Sequence, residues 1–76
     1  MRTIAIFGRD FRAAFVSVGG RSSFLNFDEH DAKALELCIE SLAGQPPAVR
    51  IDFYEDLLDG IPLHGQDGLL RKYVKP

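Results

Sequence analysis

Residues 48–54 read AVRIDFY, and how this stretch is read decides the fold. Val49, Ile51 and Phe53 alternate with Arg50, Asp52 and Tyr54, the two-residue period of a half-buried strand. As a strand, it places its apolar side against a helix and becomes the fourth strand of a sheet. That helix is the segment immediately before it. Asp28 is suited to cap its start, with Asp31 three residues on in a box-like arrangement and Glu29 near the positive end of the dipole. Ala32, Leu35, Cys38, Ile39 and Leu42 share one face, while Lys33, Glu36 and Glu40 point away. Gly44 fits a left-handed terminating position, and Pro46-Pro47 forbid continuation. Leu37 interrupts the polar side and is expected to be exposed.

The N-terminal third reads as an antiparallel meander. Thr3 to Phe7, TIAIF, is β-branched and apolar and predicts a strand, followed by a tight reversal at Gly8-Arg9-Asp10. Phe11 to Val18, FRAAFVSV, favours a second strand. The alternative is a short helix capped by Asp10, with Phe11 and Phe15 four apart. Gly19-Gly20 suits a two-residue hairpin turn, and Arg21 to Phe27 supplies the third strand. After residue 54, Glu55 to Gly60 fits one helical turn. Asp67 is placed to cap a final short helix pairing Leu69 with Tyr73 and Leu70 with Val74, with an edge strand as the alternative. The expected order is therefore β-β-β-α-β with a variable tail. This is an α+β domain, a small antiparallel sheet with one amphipathic helix on one face.

One feature resists this scheme. Five of the six phenylalanines lie in the first 27 residues, and apolar side chains occupy both parities of the second and third strands. A strand solvated on one side alternates cleanly. The far face of the sheet is therefore expected to be covered by the tail, a second copy of the chain, or another partner.

Seventy-six residues with 46% hydrophobic and 26% charged composition suit a single small globular domain over residues 1–76. One cysteine, Cys38, allows no internal disulfide, which favours a reducing compartment. The opening MRTIAIFGRD is too short in its apolar run for a leader or a membrane span, so a cytoplasmic location is expected. Charge is uneven along the chain. Four arginines against Asp10 make residues 1–21 basic, ten acids against Lys33 and Arg50 make residues 22–67 acidic, and the last nine residues are basic again. Such blocks either pair across the fold or offer an acidic face to a basic partner.

Residues 54–68, YEDLLDGIPLHGQDG, gather Glu55, Asp56, Asp59 and Asp67 around His64. Zinc needs about four clustered ligands, and the chain offers Cys38, His30 and His64 without a C-x-x-C or H-x-x-x-H spacing. The calcium-loop pattern fails because Leu58 stands where an oxygen ligand belongs. A glycine- and proline-rich segment is a poor scaffold for acid–base catalysis. No nucleophile elbow, phosphate loop or dinucleotide fingerprint occurs, and Gly19 to Ser23 is explained by a hairpin turn as well as by an anion cradle. No catalytic residue, metal or cofactor is expected. Ala14-Phe15-Val16 matches part of an RNA-recognition core, but Arg12 and Ala13 break the match.

Two roles remain. The first is a non-enzymatic protein-binding module, using an apolar sheet face, an acidic rim of Asp52, Glu55, Asp56 and Asp59, and contacts from Tyr54, Tyr73 and Leu37. A homodimer through the same face is its structural version. In size and charge the chain resembles small phage-encoded inhibitors of bacterial machinery, anti-CRISPR proteins among them, with no motif carrying that likeness. The second role is a nucleic-acid-associated module using Arg9, Arg12 and Arg21.

Overall fold

A computed structural model describes residues 2–74, and its sheet is organised around Gly19-Gly20. Both glycines have positive φ, 57° and 84°, which a two-residue turn matched to strand twist requires and other residues rarely adopt. Strands β2 (Ala13–Val18) and β3 (Arg21–Asn26) meet across this turn with Val18 opposite Arg21. Strand β1 (Thr3–Phe7) runs antiparallel along the other side of β2, giving the order β1-β2-β3. The β1–β2 connection closes where the Gly8 N–H donates to the Ala13 carbonyl at 2.8 Å. Residues 11–18 thus resolve to a strand from Ala13, not to the alternative helix.

Helix α1 (Glu29–Leu42) starts as its sequence requires, with the Asp28 carboxylate accepting the Asp31 N–H at 2.8 Å. Ala32, Leu35, Cys38 and Leu42 are buried, joined by Ala34, with Ile39 at the margin. Gly44 does not take the left-handed conformation expected of it; the chain leaves α1 through a right-handed Ala43 and is stopped by the prolines.

The expected fourth strand is a helix. Residues 48–54 lie inside α2 (Pro47–Leu58), and Pro47 sits at its first position, where a fixed φ and a missing N–H cost nothing. The alternation of Val49, Ile51 and Phe53 is real but covers only seven residues. Read through to residue 58, Val49, Phe53 and Leu57 recur every fourth position, as do Arg50, Tyr54 and Leu58. Phe53 and Leu57 are buried, and Val49, Ile51, Tyr54 and Leu58 pack against the same core. Burial on more than one side blurred the helical stripe and left a local pattern that mimics a strand. The expected turn over residues 55–60 is the last turn of this helix, closed by Gly60 at φ 78° with its N–H on the Leu57 carbonyl at 3.1 Å.

The tail ends in the short helix α3 (Leu69–Tyr73), the helical alternative of the two expected. Its start is Gly68 rather than Asp67, with no side-chain cap. The backbone doubles back tightly here, with Leu69 and Leu70 N–H groups donating to the Pro62 and Leu63 carbonyls, each at 3.0 Å. A Cβ on Gly68 would lie 2.5 Å from the His64 carbonyl oxygen, which leaves room only for glycine.

The three helices share one face of the sheet. Ala14, Val16 and Val18 of β2 point into that layer and meet Leu35, Cys38, Leu42, Phe53, Leu57, Leu63, Leu69 and Tyr73. The result is a small α+β fold with a three-stranded antiparallel sheet. Among the described residues no helix is long and apolar enough to cross a membrane.

Candidate functional site

Side chains on paired positions of a sheet share a face, so the register sorts the strands. Thr3, Ala5 and Phe7 line up with Val18, Val16 and Ala14 on the helix side. Ile4 and Ile6 fall opposite Ser17 and Phe15 on the other side, and Phe15 falls opposite Phe24. Among the described residues no helix lies there. Ile6 is 62% exposed and Phe24 79% exposed, while Phe15 packs its ring on Phe24 at 4.9 Å between centroids. Together with Gly8 and Ala13, these side chains form a shallow apolar depression of about 230 Å³. A cross-strand row of isoleucine and two phenylalanines is thus presented to solvent.

As far as Val74, the tail does not cover this face. α3 packs on α1 and α2, on the opposite side of the sheet. One of the three expected covers is therefore excluded for the described residues.

Two of the four acids of the rim, Asp56 and Asp59, are tied to the protein's own cations. The Asp56 carboxylate accepts from the Lys72 ammonium at 2.8 Å and from the Tyr73 hydroxyl at 2.7 Å. Burial, followed by the bond to Asp56, pushes the Tyr73 phenol up to about 12, and Lys72 is raised by its bond to Asp56. Asp59 pairs with Arg21 at 2.7 Å. Tyr54 is half-buried against Phe7 and Phe53, and Tyr73 is buried edge-on to Phe53. Of the expected contact residues, Asp52 and Leu37 are exposed, Leu37 by 48%, and Glu55 is half-buried. They do not form one patch with the outer face: Leu37 is on α1, Asp59 directly follows α2, and the others are on α2 or α3.

The arginines of the nucleic-acid reading are likewise engaged in part. Arg12 Nε donates to the Phe27 carbonyl at 2.8 Å and Arg21 is held by Asp59, while Arg9 is exposed in the β1–β2 turn. The two histidines, far apart in sequence, stack at 3.8 Å with an 8° tilt. His64 Nε2 donates to the His30 carbonyl at 3.2 Å and lies 3.6 Å from the Asp31 carboxylate. This pairing fastens the 60–68 loop to the start of α1. Among the described residues no three His, Cys, Asp or Glu side chains come together to hold a metal ion.

Ile6, Phe15 and Phe24 were absent from the sequence-based contact residues. Their signal was present in the apolar residues at both parities. Extending the pairing from the Gly19-Gly20 turn puts Phe15 opposite Phe24 directly. No protein-family model, curated protein or solved structure matches the chain.

Proposed function

We propose that the chain is a protein-binding module that acts by occupying a partner's surface, and that its contact surface is the outer face of the sheet. The supporting observation is the row Ile6–Phe15–Phe24, exposed on a fold whose helices all lie on the other side. Contiguous exposed apolar area of this kind marks interaction sites, and aromatic side chains carry a large part of binding energy there. Blocking a surface on a larger protein, as a small inhibitor does, needs no chemistry beyond this. A reducing, cytoplasmic setting suits the single thiol: Cys38 is buried, and burial pushes its pKa to about 11.

The test compares wild type with Ile6→Ser/Phe24→Ser, using Leu37→Ser as the control, in quantitative affinity capture from the native host. The outer-face variant loses the proteins captured by wild type, and the control keeps them. Equal capture by all three overturns the reading. Salt-sensitive oligonucleotide binding that is lost with Arg9→Ala would move the assignment to nucleic acid.

A further inference from the structure

The second unpartnered feature of the sheet is its β1 edge. Val18 and Arg21 flank a two-residue turn and so form a hydrogen-bonded pair. Ala14, Val16 and Val18 therefore bond to β3, and Ala13, Phe15 and Ser17 bond to β1. The Gly8 N–H on the Ala13 carbonyl confirms this phase. It follows that Ile4 and Ile6 direct their backbone groups to β2, while Thr3, Ala5 and Phe7 direct theirs outward. Among the described residues no hydrogen bond to these outward groups is made.

Exposed edges normally carry protection such as a charge, a proline or a bulge. β3 has it in part: Arg21 and Asn26 sit at its ends, and Ser23 Oγ donates to the outward-facing Phe24 carbonyl at 3.2 Å. β1 has none. TIAIF is uncharged, free of proline and regular throughout.

We infer that β1 is a homodimerisation edge, joining two copies of this chain antiparallel across a two-fold axis at Ala5 into one six-stranded sheet. The strand is complementary to itself in that register. Ala5 faces Ala5 of the second copy, small against small. Ile4 faces Ile6 on the outer side, and Thr3 faces Phe7 on the inner side. Residues 3–7 bring no like charges together, the usual bar to self-pairing. Arg2 falls opposite Gly8, which has no side chain to oppose it. The outward groups form about six backbone hydrogen bonds, two for each hydrogen-bonded pair. Because the pairing is isologous it closes at two copies and leaves the better-protected β3 strands outermost. It also joins the two outer faces through Ile4 and Ile6 into one apolar surface. The pairing does not depend on the partner-binding reading.

Sedimentation of the full chain over a concentration series tests it. Wild type is a reversible dimer. Thr3→Pro removes an outward N–H that the fold does not use and raises the dissociation constant at least ~tenfold. Ser22→Pro, the equivalent change on β3, leaves the dimer intact. Ala5→Cys is joined between copies by a short thiol-specific cross-linker, since the paired Cα atoms lie about 5.5 Å apart in a hydrogen-bonded pair, whereas Ser22→Cys is not. Phe24→Ser separates the two readings, because it weakens partner capture and spares the dimer. A wild-type monomer at every concentration overturns the inference. So does a dimer that survives Thr3→Pro but not Ile6→Ser/Phe24→Ser, which would be face-to-face, or an Ala5→Cys variant that fails to cross-link.

Discussion

Asp56 receives two donors from α3, the Lys72 ammonium and the Tyr73 hydroxyl, and so clamps the last helix to α2. The two bonds differ in weight. Lys72 is well exposed, where an ion pair is worth little. The Tyr73 ring is buried, so its hydroxyl needs an acceptor. Asp56→Ala is expected to lower stability by about 1–3 kcal/mol, chiefly through the orphaned phenol, as read from urea unfolding. The same contact sets an alkaline limit. Tyr73 has its pKa raised from 10.0 to about 12, so its contribution is complete below the unfolded value. That contribution declines as pH rises from 10 towards 12. Lys72, also raised, acts with the same sign. Unfolding free energy therefore begins to fall above about pH 9, where the buried Cys38 thiol, raised from 9.0 to about 11, starts to ionise in the unfolded chain. It falls more steeply above about pH 10, and the fall above pH 10 is shallower in Tyr73→Phe, as followed by chemical denaturation at stepped pH. In the sequence Asp56 is one acid among four near His64, and nothing local marks it as inward-facing. Only the return of α3 onto α2, a contact 17 residues apart, distinguishes it from Asp52.

At the scale of elements, the chain is most legible where signals are local. The Gly-Gly turn, the Asp28 cap and the i, i+3, i+4 stripe of α1 each act within a few residues, and each appears in the structure. α2 was illegible for a physical reason. It is covered from several sides, so its apolar residues do not form one narrow stripe, and seven residues of chance alternation outweighed the four-residue repeat of Val49, Phe53 and Leu57. Its helical state has a direct consequence at Asp52, which is exposed. Asp52→Ala, with higher helix propensity, is expected to stabilise by a few tenths of a kcal/mol, and Asp52→Gly to destabilise by a comparable amount. A strand there would be weakened by both changes or respond to neither, so urea midpoints decide it. The α2–α3 connection carries a steric prediction. Gly68→Ala forces the Leu63–His64 backbone to move and costs about 1–3 kcal/mol. Circular dichroism melts report this as a lowered midpoint with the helix content retained.

For the whole molecule, the decisive feature is that, among the described residues, one sheet carries helices on one face only. A chain of this size holds a net stability of about 4–11 kcal/mol, supplied by a single core built around Phe53, Leu35, Val16 and Leu69. The outer isoleucine and phenylalanine side chains contribute little to that core, because Ile6 and Phe24 remain largely in water. Stability and association are therefore separable by mutation. Phe53→Ala should cost about 3–5 kcal/mol, a large part of the total. Ile6→Ser/Phe24→Ser should leave the unfolding free energy of the monomer within about 1 kcal/mol. Self-pairing through β1 adds a linkage term. A dimer that only the folded chain can form gains stability with concentration, so the midpoint of thermal unfolding rises as protein is added. Thr3→Pro removes that dependence while leaving the dilute-limit midpoint near wild type, since the N–H it deletes is not used within the fold. Calorimetry at several concentrations measures both quantities in one series. A midpoint independent of concentration in wild type would show that the free edge of β1 adds nothing to the stability of the folded chain.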